Sequence, residues 1–89
     1  MVQIKASKPI GQIKKDDHIT IDGKKYHVDA HLLLIDHGKT KEMGIELYDD
    51  KDVDYQLRYF ADQVEETLEF YELVQGIMYE KKEMQKISW

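Results

Sequence analysis

The chain has 89 residues, a formal net charge of −5 and no cysteine, and 42% of its residues are hydrophobic. This length predicts one domain, residues 1–89, with a core of its own. The lack of cysteine excludes disulfides, thiolate metal sites and a cysteine nucleophile. No stretch approaches the roughly 20 apolar residues that cross a bilayer, so we expect a cytoplasmic protein with no membrane partner.

Charge is distributed unevenly along the chain. Residues 1–42 carry a net charge of +2, whereas residues 43–89 carry −7. An acidic surface repels phosphate, and this argues against nucleic-acid binding. Asparagine is absent and most charges are on Lys, Glu and Asp, a bias typical of thermophiles.

The residue pattern of the first half of the chain predicts β-strands. Val2, Ile4 and Ala6 alternate with polar residues, as in a short strand. A β-hairpin is predicted near residues 17–35, because Asp22-Gly23 separates two strand-like segments and suits the positive φ angles of a type I′ turn.

The second arm of this hairpin continues as a strand through Ile35. Strand periodicity predicts one core-facing set, comprising Val28, Ala30, Leu32 and Leu34. The opposite face would receive His27, Asp29 and His31, which could share a transition metal or could simply face solvent. A further strand is predicted from Glu42 to Tyr48, with Met43, Ile45 and Leu47 on one face.

From Val53 the apolar residues fit a helical period instead. The predicted stripe comprises Val53, Leu57, Phe60, Val64, Leu68 and Tyr71. We expect this helix to end near Thr67, since residues 67–74 also alternate as a strand, and a last strand to lie around Ile87. These elements predict an α+β fold, a small antiparallel sheet packed by one or two amphipathic helices.

The acidic residues of the second half form the leading candidate site. Alternate aspartates in a curled loop can converge on a hard cation such as Ca²⁺. The predicted metal ligands are Asp49, Asp50, Asp52, Asp54, Asp62, Glu65 and Glu66. The segment is not an EF-hand, because Tyr55 and Ala61 stand where that loop requires Gly and Glu. The alternative is that the aspartates cap the predicted helix and the remaining acids form a solvated face.

The same charge asymmetry supports a second hypothesis, a protein-interaction module. Its acidic helix and exposed aromatics would dock a basic protein partner. No nucleophile triad, phosphate loop or paired-carboxylate motif is recognisable, so we do not expect an enzyme.

Two resemblances add expectations. The segment from Ile13 to Val28 resembles the opening strands of SH3-like translation domains, such as those of the archaeal initiation factor 5A family. The whole chain is similar in length, cysteine absence, Lys and Glu bias and acidic stretch to small conserved proteins of thermophilic methanogenic archaea. These include an α+β family reported to bind calcium, and the resemblance implies Ca²⁺ binding without a known reaction.

Overall fold

The computed structural model describes residues 2–89 as one mixed β-sheet with a single short α-helix and a 3₁₀ turn at Ile10–Gln12. In chain order the elements are β1 (Gln3–Lys5), β2 (His18–Ile21), β3 (Lys24–Asp36), β4 (Lys41–Tyr48), β5 (Asp54–Phe60), α1 (Val64–Thr67), β6 (Glu69–Val74), β7 (Met78–Lys82) and β8 (Lys86–Ser88). The spatial order is β1-β8-β2-β3-β4-β5-β6-β7, with β1 and β8 parallel and the other neighbours antiparallel. The predicted α+β fold with amphipathic helices is therefore wrong, because the protein is nearly all-β.

The sheet is strongly coiled, and its concave inner face encloses the core. The ring of Tyr26 on β3 contacts that of Phe70 on β6 at 5.5 Å between centroids, although β4 and β5 separate these strands in the sheet. The most deeply buried side chains are Ile19, Val28, Ile45, Leu47, Leu57 and Ile87. The opposite, convex face of the central strands is called the outer face below.

The predicted hairpin is confirmed. β2 and β3 pair antiparallel around Asp22 and Gly23, whose φ angles of +49° and +84° are those of a type I′ turn. The predicted shared face of Ile45 and Leu47 is also confirmed, since both are buried in the core.

The predicted faces of β3 are wrong beyond Val28, because a β-bulge interrupts the strand. Val28 lies opposite buried Leu47, but the register shifts at Asp29, and Ala30 lies opposite Glu46 on the outer face. A bulge adds one residue to one strand, so the following side chains change face until a second register shift between Leu33 and Ile35. Leu32 and Leu34, expected in the core, are 40% and 36% exposed.

The predicted helix from Val53 is also wrong. Residues 54–60 form β5, in which Tyr55, Leu57 and Tyr59 alternate into the core. Only the last part of the predicted helix is helical, as the single turn Val64–Thr67. Apolar residues at positions 53, 57 and 60 fit a helix, but an equally good period of two is present, and pairing with both β4 and β6 decides for the strand. No helix within residues 2–89 is long and apolar enough to cross a membrane.

Candidate functional site

Asp49, the first of the predicted calcium ligands, is buried in a hydrogen-bonded turn between β4 and β5. Its side chain is 2% exposed. Oδ1 accepts from the backbone N–H groups of Lys51 and Val53 at 2.9 and 3.0 Å. Oδ2 accepts from Lys24 Nζ at 2.9 Å and from the Tyr55 hydroxyl at 3.0 Å. Four donors therefore occupy both oxygens of this carboxylate.

The pKa values of Asp49 and Lys24 follow from this geometry. Burial acts to raise the pKa of Asp49, but the hydrogen bonds from Lys24, Val53, Lys51 and Tyr55 outweigh it and hold the pKa well below its usual value. The hydrogen bond to Asp49 raises the pKa of Lys24 to about 12. Lys24 Nζ also lies over the rings of Tyr26 and Tyr55, at 5.3 and 5.6 Å. The turn therefore holds an ion pair at every physiological pH.

Three further predicted ligands, Asp50, Asp52 and Asp54, lie around the same turn but share no contact with one another. Asp50, 92% exposed, has Oδ1 3.2 Å from His27 Nε2. Asp52 occupies the turn with a φ of +60°, and its N–H donates to Asp49 O. Asp54 begins β5 and is exposed. No helix begins here, so the capping alternative for these aspartates is also wrong.

The remaining three predicted ligands lie beyond the far end of β5. Asp62 accepts a hydrogen bond from the Thr40 hydroxyl, and Glu65 and Glu66 are exposed on α1. Among residues 2–89 no three His, Asp or Glu side chains are grouped to hold a metal ion. Ca²⁺ binding therefore stays a prediction from sequence, and the structure does not bring its seven ligands together.

The histidine triplet is divided by the bulge at Asp29. His27 faces outward and stacks on Tyr48 at 5.0 Å between ring centroids. His31 faces inward, with Nδ1 2.7 Å from Ile13 O and Nε2 2.7 Å from the Tyr59 hydroxyl. Burial raises the pKa of Tyr59 to about 12, so its hydroxyl keeps its proton. The predicted shared face for a transition metal is therefore absent.

The outer face carries a cluster of side chains that sequence reasoning missed. The guanidinium carbon of Arg58, the only arginine of the chain, lies 4.2 Å from the ring centroid of Tyr71 and 5.2 Å from that of Tyr79. Arg58 Nε donates to Gln56 Oε1 at 2.6 Å. Three strands, β5, β6 and β7, thus contribute to one ordered Arg–Tyr cluster.

Two exposed leucines extend this cluster across the sheet. Leu32, Gly44 and Arg58 are direct cross-strand neighbours. The side chain of Leu34 covers Gly44, where a Cβ atom would lie 3.0 Å from Leu34 Cδ1. The absence of a side chain at Gly44 therefore lets Leu34 pack directly over the backbone of β4. We call Leu32, Leu34, Arg58, Tyr71 and Tyr79 the outer-face patch.

Carboxylates surround the outer-face patch. Glu69 bonds Lys81 Nζ at 2.9 Å and accepts from the Tyr71 hydroxyl at 3.0 Å, and the bond to Lys81 is the main cause of its lowered pKa. Glu46 and Asp54 form no ion pair with any residue in the range 2–89. Burial and the negative charges of Glu46 and Asp54 raise the pKa of Tyr79, although Arg58 opposes them. The patch is therefore apolar and aromatic, with an acidic margin.

The signal that could have located this patch was weak. Leu32 faces outward only because of the bulge at Asp29, and no residue pattern in the sequence indicates that bulge. Comparison with known proteins finds no matching family, curated relative or solved structure.

Proposed function

We propose that the protein is an interaction module whose outer-face patch docks a polypeptide segment with apolar side chains flanked by Lys or Arg. The observation that carries the proposal is the cluster of half-buried Arg58 and Tyr71 with exposed Tyr79, which lies with exposed Leu32 and Leu34 on one side of the sheet. This replaces the acidic helix of the sequence hypothesis with an open sheet face as the docking surface.

The residue types of the patch favour protein recognition. Tyr and Arg dominate the binding energy of protein interfaces, where they occupy the centre and are ringed by polar groups. Stacking on Tyr71 and the bond to Gln56 already restrict Arg58. Little side-chain entropy would be lost when a partner covers it.

The charges around the patch indicate a basic partner. Glu46 and Asp54 have no partner cation among residues 2–89, whereas Glu69 is paired with Lys81. A second copy placed face to face would bring these free carboxylates together, and like charges at an interface are costly. Nucleic acid is disfavoured for the same reason. A segment with both cationic and apolar side chains would pair with the acidic margin and pack its apolar side chains against the outer-face patch.

Titration of the ¹⁵N-labelled protein with defined peptides tests this proposal. The probe is a peptide of about ten residues that alternates Leu and Lys. Matched peptides alternate Leu with Glu, or Ser with Lys. We expect saturable shifts of amide signals around Leu32, Gly44, Arg58 and Tyr79 with the Leu/Lys peptide, weakened by salt because screening reduces the attraction. Neither matched peptide should reproduce them.

Two variants with the same change of charge provide the control. Glu46→Gln, beside the patch, should weaken Leu/Lys peptide binding several-fold, whereas Glu65→Gln on α1 should not. The proposal fails if the shifts lie elsewhere, if the Ser/Lys peptide binds equally well, or if both variants have the same effect. Absence of any saturable shift would also refute it.

A further inference from the structure

The edge strand β7 has an uncovered side. β7 hydrogen-bonds only to β6, in a register without a bulge, and all five of its residues are exposed. Within residues 2–89, no loop donates to or accepts from its outer backbone groups. An edge strand offers its free N–H and C=O groups to any further strand. The other edge, β1, has only three residues.

The lysines of β7 do not protect this edge. Exposed lysines on an edge strand usually discourage pairing. Lys81 Nζ, however, lies 2.9 Å from Glu69, and Lys82 Nζ lies 3.1 Å from Glu72, both on the neighbouring strand β6. These bonds draw both ammonium groups back over the sheet and neutralise them. The edge is therefore open to a partner strand.

Apolar side chains are exposed where β7 begins. Ile77 is 83% exposed, Met78 61% and Tyr79 37%. They follow the tight turn at Gln75 and Gly76, both with positive φ. A strand added beside β7 would cover part of this apolar surface, and such burial favours association.

The sequence of β7 allows pairing with itself in one favourable register. In an antiparallel pair, opposed residues share a face, so a two-fold axis perpendicular to the sheet must lie midway between two copies of the same residue. An axis at Glu80 opposes two glutamates, and one at Lys81 opposes two lysines, which is destabilising. An axis at Tyr79 opposes two tyrosines and pairs Met78 with Glu80, so three residues of each strand pair within β7, and Lys81 and Lys82 lie opposite the turn. An axis at Met78 would pair only Met78 within β7 and leave the other four residues of each strand without a β7 partner.

We propose that β7 pairs with β7 of a second copy, antiparallel and centred on Tyr79, to form a homodimer with one continuous sheet. This inference does not depend on the proposed docking function: it rests on the free backbone edge of β7, although Tyr79 belongs both to that edge and to the outer-face patch. Pairing of strands related by a two-fold axis is a common way to form symmetric dimers. Each copy would keep the outer-face patch exposed except around Tyr79.

Sedimentation equilibrium of the full chain tests the proposal. The wild-type protein should show a reversible monomer–dimer equilibrium over about a hundredfold range of concentration. Tyr79→Lys and Tyr79→Glu should each weaken dimerisation at least about tenfold, because like charges then meet at the axis. An equimolar mixture of the two variants should restore the dimer, because Lys then faces Glu. Misfolded variants could not rescue each other in this way.

Ile35→Lys supplies the control. Ile35 is 51% exposed at the far end of β3, so its replacement adds the same charge and removes a similar apolar side chain away from β7. It should leave the dimer constant unchanged. A wild-type protein that stays monomeric throughout, a mixture that does not restore the dimer, or an Ile35→Lys effect equal to that of Tyr79→Lys would each overturn the proposal.

Discussion

The β4–β5 turn and the outer face both contain carboxylates and tyrosines, but in the turn a carboxylate and a tyrosine are hydrogen-bonded and buried, whereas on the outer face two carboxylates have no ion pair within residues 2–89. In the turn, the carboxylate of Asp49 receives four hydrogen bonds and is buried. On the outer face, Glu46 and Asp54 lie near Arg58 and Tyr79 without an ion pair within residues 2–89. A concentration of acids and tyrosines in sequence therefore does not identify a binding site. What distinguishes the two regions is whether the chain itself supplies the donors.

Removal of the Asp49 carboxylate should have the largest effect on stability. Asp49→Ala leaves the Tyr55 hydroxyl, two backbone N–H groups and Lys24 without their acceptor, and we expect a loss of about 3 kcal/mol. Lys24 is half exposed and can be rehydrated, which limits the loss. Urea unfolding measures it. Asp50→Ala, one residue away at a 92% exposed side chain, should change the free energy of unfolding by less than about 0.5 kcal/mol.

The pH dependence of the free energy of unfolding should reflect the ion pair between Asp49 and Lys24. The pKa of Asp49 is lowered from 3.8, so its contribution is complete above pH 3.8 and is lost as the pH falls further. The pKa of Lys24 is raised from 10.5 to about 12, so its contribution is complete below pH 10.5 and is lost as the pH rises through 12.

Comparison of the wild-type protein with Asp49→Asn isolates this effect. The difference in their free energies of unfolding should be about 2 kcal/mol between these limits, and it should shrink below pH 4 and above pH 11. Urea unfolding at a series of pH values measures the difference. A difference that is constant through the acid range would contradict the proposed role of the carboxylate.

Tyr55→Phe should have a smaller effect in the turn. It removes only the hydroxyl that donates to Asp49 and leaves the ring stacked on Phe70. We expect a loss of about 1 kcal/mol. Tyr48→Phe removes a hydroxyl from a partly exposed ring on the same strand pair and serves as the control in the same thermal or urea experiment. Equal losses would indicate that the bond to Asp49 contributes nothing.

Substitutions in the outer-face patch should affect stability least and peptide binding most. Leu32→Ser combined with Leu34→Ser alters two exposed side chains, and we expect a change in unfolding free energy within about 1 kcal/mol. The affinity for the Leu/Lys peptide should fall at least about tenfold. If stability fell as far as in Asp49→Ala, these leucines would belong to the core, and the contrast between the two regions would disappear.

The reliability of the sequence interpretation depended on how local each signal was. Asp22-Gly23 specifies its turn through its own backbone preferences, so the hairpin was predicted correctly. The alternation of Ile45 and Leu47 also determines a face within one short strand. Strand β5 was misread because residues 53–60 fit both periods, and only its two neighbouring strands settle the choice.

The candidate site could not be predicted for a similar reason. The Arg58 cluster joins β5, β6 and β7, and the position of Leu34 beside it depends on a bulge and on Gly44. These are tertiary features, which single-sequence periodicity does not encode. The acids from Asp49 to Glu66 were visible in the sequence, but their separation by the length of β5 was not.

The parallel pairing of β1 with β8 also constrains how the chain folds. Gln3 lies opposite Lys86, so this contact joins segments separated by nearly the whole chain. Closing so large a loop is entropically costly and slows folding. Trp89, the only tryptophan, donates from Nε1 to Lys8 O at 2.7 Å beside this pair. Its fluorescence in a stopped-flow experiment should therefore report the closing of the first strand onto the last.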